Sequence, residues 1–501
     1  MAFWRGMWYN NPAAFLRRCS CGGKWKREES TVTNNRKAAG LDKFFGITAA
    51  GSTMRTEIMA GITTFFAMVY ILMVNAGMFT ATGVSYGAIY IATAISAVVG
   101  TVCIGLLANL PLAQASGMGL NAFFVYTCVL GFGMSYANAL VLVLFDGVLF
   151  IILTVTGLRK TIFQAIPQAV RVAIPAGIGL FIAFIGLQNA GIVAKDAATG
   201  VTLASFNLLK EGAWASVMPM LVTIAAVLAI AVMAKKNVKG AVLLGMLGGA
   251  VLYYLLGYIT VPGFALGLTL ESPFAAFGQF FGESFFKVFT EGFNFSGYIA
   301  AHGAANTVLV IVTTALAFCM VDMFDTLGTL YGACARGNML TREGEVPNMD
   351  KAMLADAIAT TAGAICGTST VTTFVESASG VAEGGRTGMS AMVTAALFFV
   401  AMFLSPIAQL VPSCATAAAL VYVGVLMIAC VKDIDWHDAA DAVPAFLTMA
   451  MMPFTYNISY GIAFGLIACI VMKACTGKVK EIKAGTWVIA ALFLAMLFLT
   501  H

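Results

Sequence analysis

Two aspartates three residues apart interrupt a long apolar stretch of the sequence. Asp322 and Asp325 stand in VDMFDTLGT, and no Lys or Arg occurs between His302 and Arg336. On a helix the two carboxyl groups are about 60° apart and share one face. An acid at the centre of a spanning helix costs about 2.5–3.5 kcal/mol, and two desolvated like charges favour retention of a proton. The spacing predicts a proton-binding pair at a cavity. The alternative is a structural cap or hydrogen bond to a neighbouring helix.

A third acid, Glu376, lies where GTSTVTTFVESASGVAEGG (367–385) changes from β-branched to small residues. PLAQASGMGLNAFF (111–124) has a similar interruption beside Asn121. Each stretch predicts a short extended piece followed by a half helix, which is tolerated at membrane depth only inside protein or beside a watery cavity. The N-terminal N–H groups of two such half helices would point into one pocket. The alternatives are two glycine kinks that allow close packing and, for Glu376, a simple N-terminal cap.

Neutral polar side chains accompany these acids, and they suit a flat, mostly uncharged ligand with donors and acceptors on its edges. Phe374 or Phe324 would stack on the face of such a ligand, whereas a permanently anionic substrate would be expected to bring Lys or Arg. Asp356 and Asp146 are further proton-carrier candidates, but we expect helix-end hydrogen bonds for both. The expected polar lining is Gln114, Asn121, Thr326, Thr329, Thr372, Thr373 and Ser377.

The composition is that of an integral membrane protein. Charged residues make up 10% of the 501 positions, against roughly 25% in soluble domains, and apolar residues reach 60%. Between Ile58 and Leu158 the only charge is Asp146, so several spans of about 20 residues follow one another. The runs are apolar on every face, which excludes the alternating strands of a barrel. We therefore predict an all-α polytopic fold, because helices satisfy their own backbone in lipid.

Two groups of apolar segments resemble each other. Residues 163–186 align with 408–431 without a gap, matching Pro167 to Pro412 and Gly179 to Gly424. If each group holds seven spans, the second must be inverted, as in many secondary transporters. The basic stretch from Lys473 to Lys483 conflicts with this layout, because the positive-inside rule makes it cytoplasmic and strict inversion makes it external. A break of 442–472 into two half-depth pieces would leave the side of the C-terminus open.

The first residues are basic and lack the apolar core of a signal peptide. Nine Lys or Arg fall in residues 1–44, which we interpret as a cytoplasmic leader without a predicted fold. The eleven cysteines are mostly scattered, which predicts reduced thiols and neither a disulfide framework, a metal site nor a cofactor. Cys19 and Cys21 form a pair, but no second pair lies nearby. The net charge of +5 is too small to indicate nucleic-acid binding.

At four motifs the chain resembles the nucleobase:cation symporter-2 family, and most closely its adenine, guanine and hypoxanthine permease subgroup of the azaguanine-resistance type. The resemblance extends from about Leu41 to Phe498. The motifs are GSTMRTEIMAGITTFFAMVYILMVN (51–75), ASGMGLNAFF (115–124), VDMFDTLGTL (321–330) and GTSTVTTFVESASGVAEGGRTG (367–388). Ser377 and the pair Arg386–Thr387 differ from the uracil and xanthine branches, which favours salvage purines as substrates.

The resemblance implies about 14 transmembrane segments in two inverted seven-segment repeats, with segments 3 and 10 broken. It implies a core domain, 45–158 and 304–410, and a gate domain, 159–303 (with an extramembrane loop) and 411–501, with the substrate between them. The residues that match the family's binding positions, or adjoin them in the lining, are Asp325, Glu376, Asn121, Thr326, Thr373, Phe374 and Ser377. The proton-coupling candidates are Asp322, Asp325 and Glu376.

The sequence thus predicts an importer of adenine, guanine or hypoxanthine that works by proton symport with alternating access. Expected partners are the purine, H⁺, the lipid bilayer of the cell membrane and, as one oligomeric option, a second copy in a homodimer; nucleic acid is not expected. The alternatives are a uracil or xanthine permease, an anion transporter of the same architecture, and an intramembrane aspartyl protease. No enzyme is predicted, because such a protease needs its two acids on separate helices and an HExxH motif is missing.

Overall fold

The structure is a computed structural model that describes residues 40–157, 165–209, 213–264, 272–341, 345–479 and 482–499. Residues Asp42–His501 form one compact unit. Most of the predicted leader, including Cys19 and Cys21, lies outside the described residues.

Within the described ranges, ten helices are long and apolar enough to cross a membrane. They are Met54–Thr82, Tyr86–Ala108, Tyr136–Val155, Gln168–Asn189, Ala213–Lys235, Ala241–Thr260, Ala304–Arg336, Gly388–Ala408, Ser413–Asp433 and Ile458–Cys475. The other main helices are Met118–Ala122, Met349–Cys366, Ser377–Ala382, Ala439–Thr455 and Ala484–Leu499, and the strands are Gln114–Ser116, Val193–Asp196, Gly200–Leu203 and Val371–Thr373. The prediction of a helical polytopic protein is confirmed, while the count of 14 segments stays a prediction.

Local sequence signals set many of the helix ends. Thr53 and Ser135 are N-cap residues whose hydroxyls accept from the backbone N–H groups of Thr56 and Asn138, which satisfies donors that a helix start leaves open. Short helices also occur in the predicted extramembrane stretch, at Pro273–Gln279 and Ser296–His302.

The segment 442–472 breaks in the middle, as the alternative predicted, but its second helix, Ile458–Cys475, is long and apolar enough to cross a membrane and is not a half-depth piece. Helix Ala439–Thr455 ends at Tyr456, which has a φ of 56°, and Asn457 caps the next helix through bonds from the N–H groups of Ser459 and Tyr460. The two helices pack against each other. The chain therefore turns back, and Lys473 reaches the end of the bundle where Gln168 begins its own helix, since both residues line one cavity there.

The long helices pack mainly in two groups. In one group, Met349–Cys366 packs on Tyr86–Cys103 and Tyr136–Val155. In the other, Gln168–Asn189 packs on Ser413–Met427 and Ala439–Thr455. The groups fall in the ranges expected for the core and gate domains, and the division into two domains stays a prediction.

The aligned repeat positions have matching structural roles. Pro167 and Pro412 are the N-cap residues of Gln168–Asn189 and Ser413–Met427. Gly179 and Gly424 meet where these two helices cross, because a Cβ on Gly424 would lie 2.5 Å from the carbonyl oxygen of Gly179. The absence of side chains at both positions thus lets the two backbones touch.

Candidate functional site

Two buried strands from distant parts of the chain form the centre of the candidate site. Gln114–Ser116 pairs antiparallel with Val371–Thr373, so that Gln114 faces Thr373 and Ser116 faces Val371. Two backbone bonds extend this strand pair, from Gly117 N–H to Thr370 and from Phe374 N–H to Ala113. The predicted extended pieces are therefore confirmed, and each satisfies the backbone of the other inside the bundle.

A short helix follows each strand, as predicted, but the two helix starts differ in their free donors. The N–H groups of Ser377, Ala378 and Ser379 donate to the carbonyls of Phe374, Val375 and Glu376. The first helical amides after the other strand, those of Met118, Gly119 and Leu120, have no hydrogen-bond acceptor among the described residues. The amides at the Ser377 start are therefore occupied by backbone carbonyls, and a pocket at the Met118 start stays a prediction.

Asp325 and Glu376 are neighbours at this site. The two carboxyl groups interact electrostatically, and both side chains are half-buried. Asp325 makes no side-chain hydrogen bond or ion pair with any described residue. The tertiary fold therefore brings together two acids that are 51 positions apart, and it leaves Asp325 able to bind something other than protein.

Tyr70, which the sequence analysis did not single out, contacts Glu376 directly. Its hydroxyl donates to Glu376 Oε1 at 2.6 Å, and its side chain is fully buried. Glu376 precedes helix Ser377–Ala382 but makes no side-chain capping bond, so the simple-cap alternative is wrong. A buried tyrosine hydroxyl needs a partner, yet nothing local in the sequence indicates that this partner is 306 positions away.

Asp356 joins three elements of the site, which corrects the expectation of a helix-end bond. It lies inside helix Met349–Cys366, where its Oδ1 accepts from Gln114 Nε2 at 2.9 Å and its Oδ2 from Thr326 Oγ1 at 2.7 Å. Gln114 Nε2 also donates to Thr373 Oγ1 at 3.1 Å, and Thr326 bonds Thr372. Asp356 thus fixes the strand pair to the helix that carries Asp325.

Asp146 and Asp322 lie behind this network and are fully buried. Asp146, inside helix Tyr136–Val155, accepts from Thr370 Oγ1 at 3.1 Å and does not serve as a helix-end group, so that expectation was wrong. Asp322 accepts from Thr360 Oγ1 at 3.2 Å, which agrees with the structural alternative. It also interacts electrostatically with Asp146, Asp356 and Asp325, so that the four acids form one group. The Oδ1 atoms of Asp146 and Asp322 lack a hydrogen-bond partner among the described residues.

The other predicted binding residues are tied mainly to the strand pair. Asn121 Oδ1 accepts from the hydroxyls of Ser116, at 2.6 Å, and Ser369. Ser377 Oγ accepts from the backbone N–H of Ala113 at 3.0 Å, and Phe374 is buried beside it. Thr326, Thr373, Asn121 and Ser377 are therefore buried supports with protein partners, whereas Asp325 and Glu376 are the more accessible members of the predicted set.

Residues 55–490 match the model of a family described as the Permease family. The guanine/hypoxanthine permease PbuO of Bacillus subtilis is 39% identical over 459 residues, which cover 89% of this chain and 98% of the relative. The adenine permease AdeP of Escherichia coli is 35% identical over 454 residues, which cover 91% of this chain and 95% of the relative.

The fold also resembles a solved membrane transporter. The transmembrane domain of the cyanobacterial bicarbonate transporter BicA superposes with a TM-score of 0.57 at 17% sequence identity, and the match covers 83% of this chain and 97% of that domain. This identity supports a shared fold alone.

Proposed function

This chain belongs to the nucleobase:cation symporter-2 family of permeases, and we propose that it carries adenine, guanine or hypoxanthine across the membrane together with a proton. It is a multi-pass membrane transporter and not an enzyme. Relatives named as guanine/hypoxanthine and adenine permeases, similar over nearly their whole lengths, support purines as the substrate class.

One observation carries the proposal for the site: half-buried Asp325 lies next to Glu376 and has no protein hydrogen-bond partner among the described residues. A purine base offers ring N–H donors and nitrogen or oxygen acceptors along its edge. A carboxylate accepts from such donors, and a protonated carboxyl group also donates. We assign Asp325 and Glu376 to the purine edge, and the open amides of Met118, Gly119 and Leu120 to its acceptors.

The remaining predicted residues have supporting roles in this proposal. Asn121, Thr326, Thr373 and Ser377 hold the strand pair and the Asp325 helix in place through the bonds described above. Phe374 supplies an apolar surface for the flat face of the base. Within the described ranges, no Lys or Arg forms a hydrogen bond with the side chains of these residues, which suits an uncharged substrate better than an anion.

The charge of the substrate is the reason for proposing symport with a cation. A neutral purine gains nothing from the membrane potential, so concentrative uptake needs a cation, worth about 2.3 kcal/mol per 100 mV. We propose that a proton on Asp325 or Glu376 completes the purine site and leaves to the cytoplasm after transport. Asp322, which is coupled electrostatically to Asp325, is the proposed third proton-coupling residue.

We propose that the site alternates between the two membrane sides when the core helices move relative to the gate helices. The proposed core comprises 45–158 and 304–410, and the proposed gate 159–303 and 411–501. The proposed location is the cell membrane, with the N-terminus in the cytoplasm because of the basic leader. A homodimer remains a prediction that size measurements of the detergent-solubilised protein would test.

The proposal is tested by uptake of labelled hypoxanthine into cells that lack their own purine permeases. We expect adenine and guanine to compete, uracil and xanthine to compete poorly, and a proton ionophore to abolish accumulation. Asp325→Ala and Glu376→Ala should each abolish uptake while protein remains in the membrane.

Glu345→Ala is the matched control, because Glu345 is an exposed acid away from the site, and its uptake should equal that of the wild type. Unchanged ionophore-sensitive uptake in both Asp325→Ala and Glu376→Ala would contradict the site assignment. Accumulation of bicarbonate or another anion without purine uptake would contradict the substrate class.

A further inference from the structure

Asn75 is a fully buried asparagine of the first spanning helix, Met54–Thr82. Its Nδ2 donates to Thr93 Oγ1 at 2.7 Å and to Thr368 Oγ1 at 3.1 Å. Thr93 gives its own proton to the backbone carbonyl of Ile89, so it needs Asn75 as a donor. The Oδ1 of Asn75 has no hydrogen-bond partner among the described residues. The donor side of this amide is therefore the side that acts on the rest of the structure.

Thr368 connects Asn75 to the strand pair. The hydroxyl of Thr368 pairs with Ser116 Oγ at 2.9 Å, and Ser116 Oγ donates to Asn121 Oδ1 at 2.6 Å. The Ser369 hydroxyl donates to the same oxygen of Asn121. All of these side chains are fully buried. Asn75, Thr368, Ser116 and Asn121 thus form a hydrogen-bonded row that links the first spanning helix to Asn121.

The row has one direction, because each hydroxyl has a single proton to donate. The NH2 side of Asn121 meets the backbone carbonyl of Ser116 at 3.3 Å, so the amide oxygen faces the hydroxyls. Ser116 gives its proton to this oxygen, and Thr368 must therefore donate to Ser116. Thr368 in turn accepts from Asn75. The donor side of Asn75 thus sets the direction of every bond in the row.

A reversed amide at Asn121 would conflict with this direction. Its Nδ2 would donate to Ser116, which already accepts from Thr368. The proton of Ser116 would then have only the distant hydroxyl of Ser369, at 3.5 Å, as an acceptor, and buried donors without a good acceptor are rare because they are costly. The amide oxygen would also face the carbonyl of Ser116. Asn121 therefore keeps its oxygen toward the row as long as Asn75 donates to Thr368.

The row ends at the proposed interface between core and gate. Asn121 lies in helix Met118–Ala122. This helix contacts helix Ala304–Arg336, which carries Asp325, and helix Gln168–Asn189 of the proposed gate. The amide of Asn121 is thus next to the position at which the substrate is proposed to bind.

Asn121 keeps one donor for a ligand. Its Nδ2 has two hydrogens, and the carbonyl of Ser116 is their only acceptor among the described residues. Buried N–H groups nearly always have a partner, so the second hydrogen requires an acceptor from a ligand. We infer that Asn75 is a positioning residue: through Thr368 and Ser116 it keeps the donor side of Asn121 toward an acceptor atom on the purine edge. This role rests on the proposed transport of purines.

The test is a double-mutant cycle on uptake of labelled hypoxanthine into cells that lack their own purine permeases. Asn75→Asp keeps the shape of the side chain, but the carboxyl group at position 75 would accept from Thr368, so that each bond of the row turns round. Thr368→Val removes the hydroxyl that transmits this change. The competitors are unsubstituted purine, 7-deazahypoxanthine and 3-deazahypoxanthine, each of which lacks one acceptor atom of hypoxanthine.

We expect one competitor to lose its disadvantage against hypoxanthine in Asn75→Asp, because hypoxanthine itself then lacks the bond from Asn121. One hydrogen bond corresponds to about two- to tenfold in affinity. The ratio of that competitor's inhibition constant to the KM of hypoxanthine should fall by this factor, and the other two ratios should stay as in the wild type. In the Thr368→Val background, Asn75→Asp should change none of the three ratios.

Asn138→Asp is the matched control. Asn138 is another buried asparagine, and its Nδ2 donates to the backbone carbonyls of Gly292 and Asn294. This variant also places an acid at a buried amide position, but no bond of the row reaches it. It should leave all three ratios as in the wild type, whatever its effect on the amount of protein in the membrane.

Unchanged ratios in Asn75→Asp would overturn the inference. Equal changes for all three competitors, or the same effect with and without the Thr368 hydroxyl, would also overturn it, because both indicate a merely structural role. If Asn75→Asp does not fold, Asn75→Leu, which removes the donor without adding an acid, takes its place in the cycle with the same outcomes. A wild type that takes up no hypoxanthine would instead refute the proposed function.

Discussion

The hydroxyl of Tyr70 donates to Glu376 at 2.6 Å. This bond links the first spanning helix to the short helix that follows the second strand of the buried strand pair. Glu376 is in turn the electrostatic neighbour of Asp325. Tyr70 therefore holds one of the two accessible acids of the site in a fixed orientation, although it need not touch the substrate itself.

Tyr70→Phe should weaken purine binding without unfolding the protein, because it removes one hydroxyl and keeps the aromatic ring. A hydrogen bond to a charged group contributes about 1.5–3 kcal/mol, so we expect the KM for hypoxanthine to rise roughly tenfold or more. The measurement is initial uptake rate against concentration. Tyr90→Phe is the control, since Tyr90 donates to the backbone carbonyl of Ala401 at 2.9 Å; an equal rise in its KM would argue against a positioning role for Tyr70.

Asp356→Ala should destabilise the protein by about 2–6 kcal/mol, because Gln114 and Thr326 would both lose a buried acceptor and each unsatisfied buried group costs about 1–3 kcal/mol. Asp356→Asn keeps one acceptor oxygen and should lose less. Thermal unfolding in detergent measures both. Lys351→Ala, at an exposed position of the same helix, should change stability by no more than about 0.5 kcal/mol, and a loss as large as that of Asp356→Ala would refute the network.

Gly424→Ala should separate the helices Gln168–Asn189 and Ser413–Met427, because its Cβ would lie 2.5 Å from the carbonyl oxygen of Gly179. Overpacking of this kind costs about 1–3 kcal/mol. Gly248→Ala is the matched control within a spanning helix, since a Cβ there has no atom within 4 Å; it should be neutral or slightly stabilising. Similar unfolding temperatures for the two variants would contradict the close helix crossing.

The helix start at Asp438 should give stability that depends on acid pH. The N–H of Ala440 donates to its carboxylate at 2.9 Å, and this bond, followed by the positive charges of Lys478 and Lys473, lowers the pKa of Asp438 below its ordinary value. A lowered pKa means that the contribution is present above the ordinary value of about 4 and is lost as the pH falls through the folded-state pKa.

Asp438→Ala should therefore lower the unfolding temperature at pH 7, and the difference from the wild type should shrink below about pH 4. Lys478→Gln leaves the capping bond intact and removes a salt bridge of 3.6 Å, so its effect should be smaller at pH 7. A difference for Asp438→Ala that stays constant down to pH 3 would exclude the carboxylate as its source.

The residue types along the sequence were sufficient to predict the helical membrane class and the two broken segments. They were also sufficient to select Asp325 and Glu376 as candidate site residues. A chain with so few charges lies in lipid, where each helix must satisfy its own backbone groups, and a β-branched run followed by small residues has a low helix propensity that favours a break. The matched glycines were visible as well, because Gly179 and Gly424 occupy equivalent places in the two repeats.

The partners of the buried acids were decided only by the tertiary structure. The bonds of Asp356 to Gln114, of Asp146 to Thr370 and of Glu376 to Tyr70 each cross more than 200 positions. The position of the basic C-terminal stretch was also decided only by the tertiary structure, because the break at Tyr456 brings this stretch to the start of helix Gln168–Asn189. A side chain's type fixes which bonds it can make, but its partner depends on which helices pack together, and that is set by the sum of many weak contacts along the whole chain.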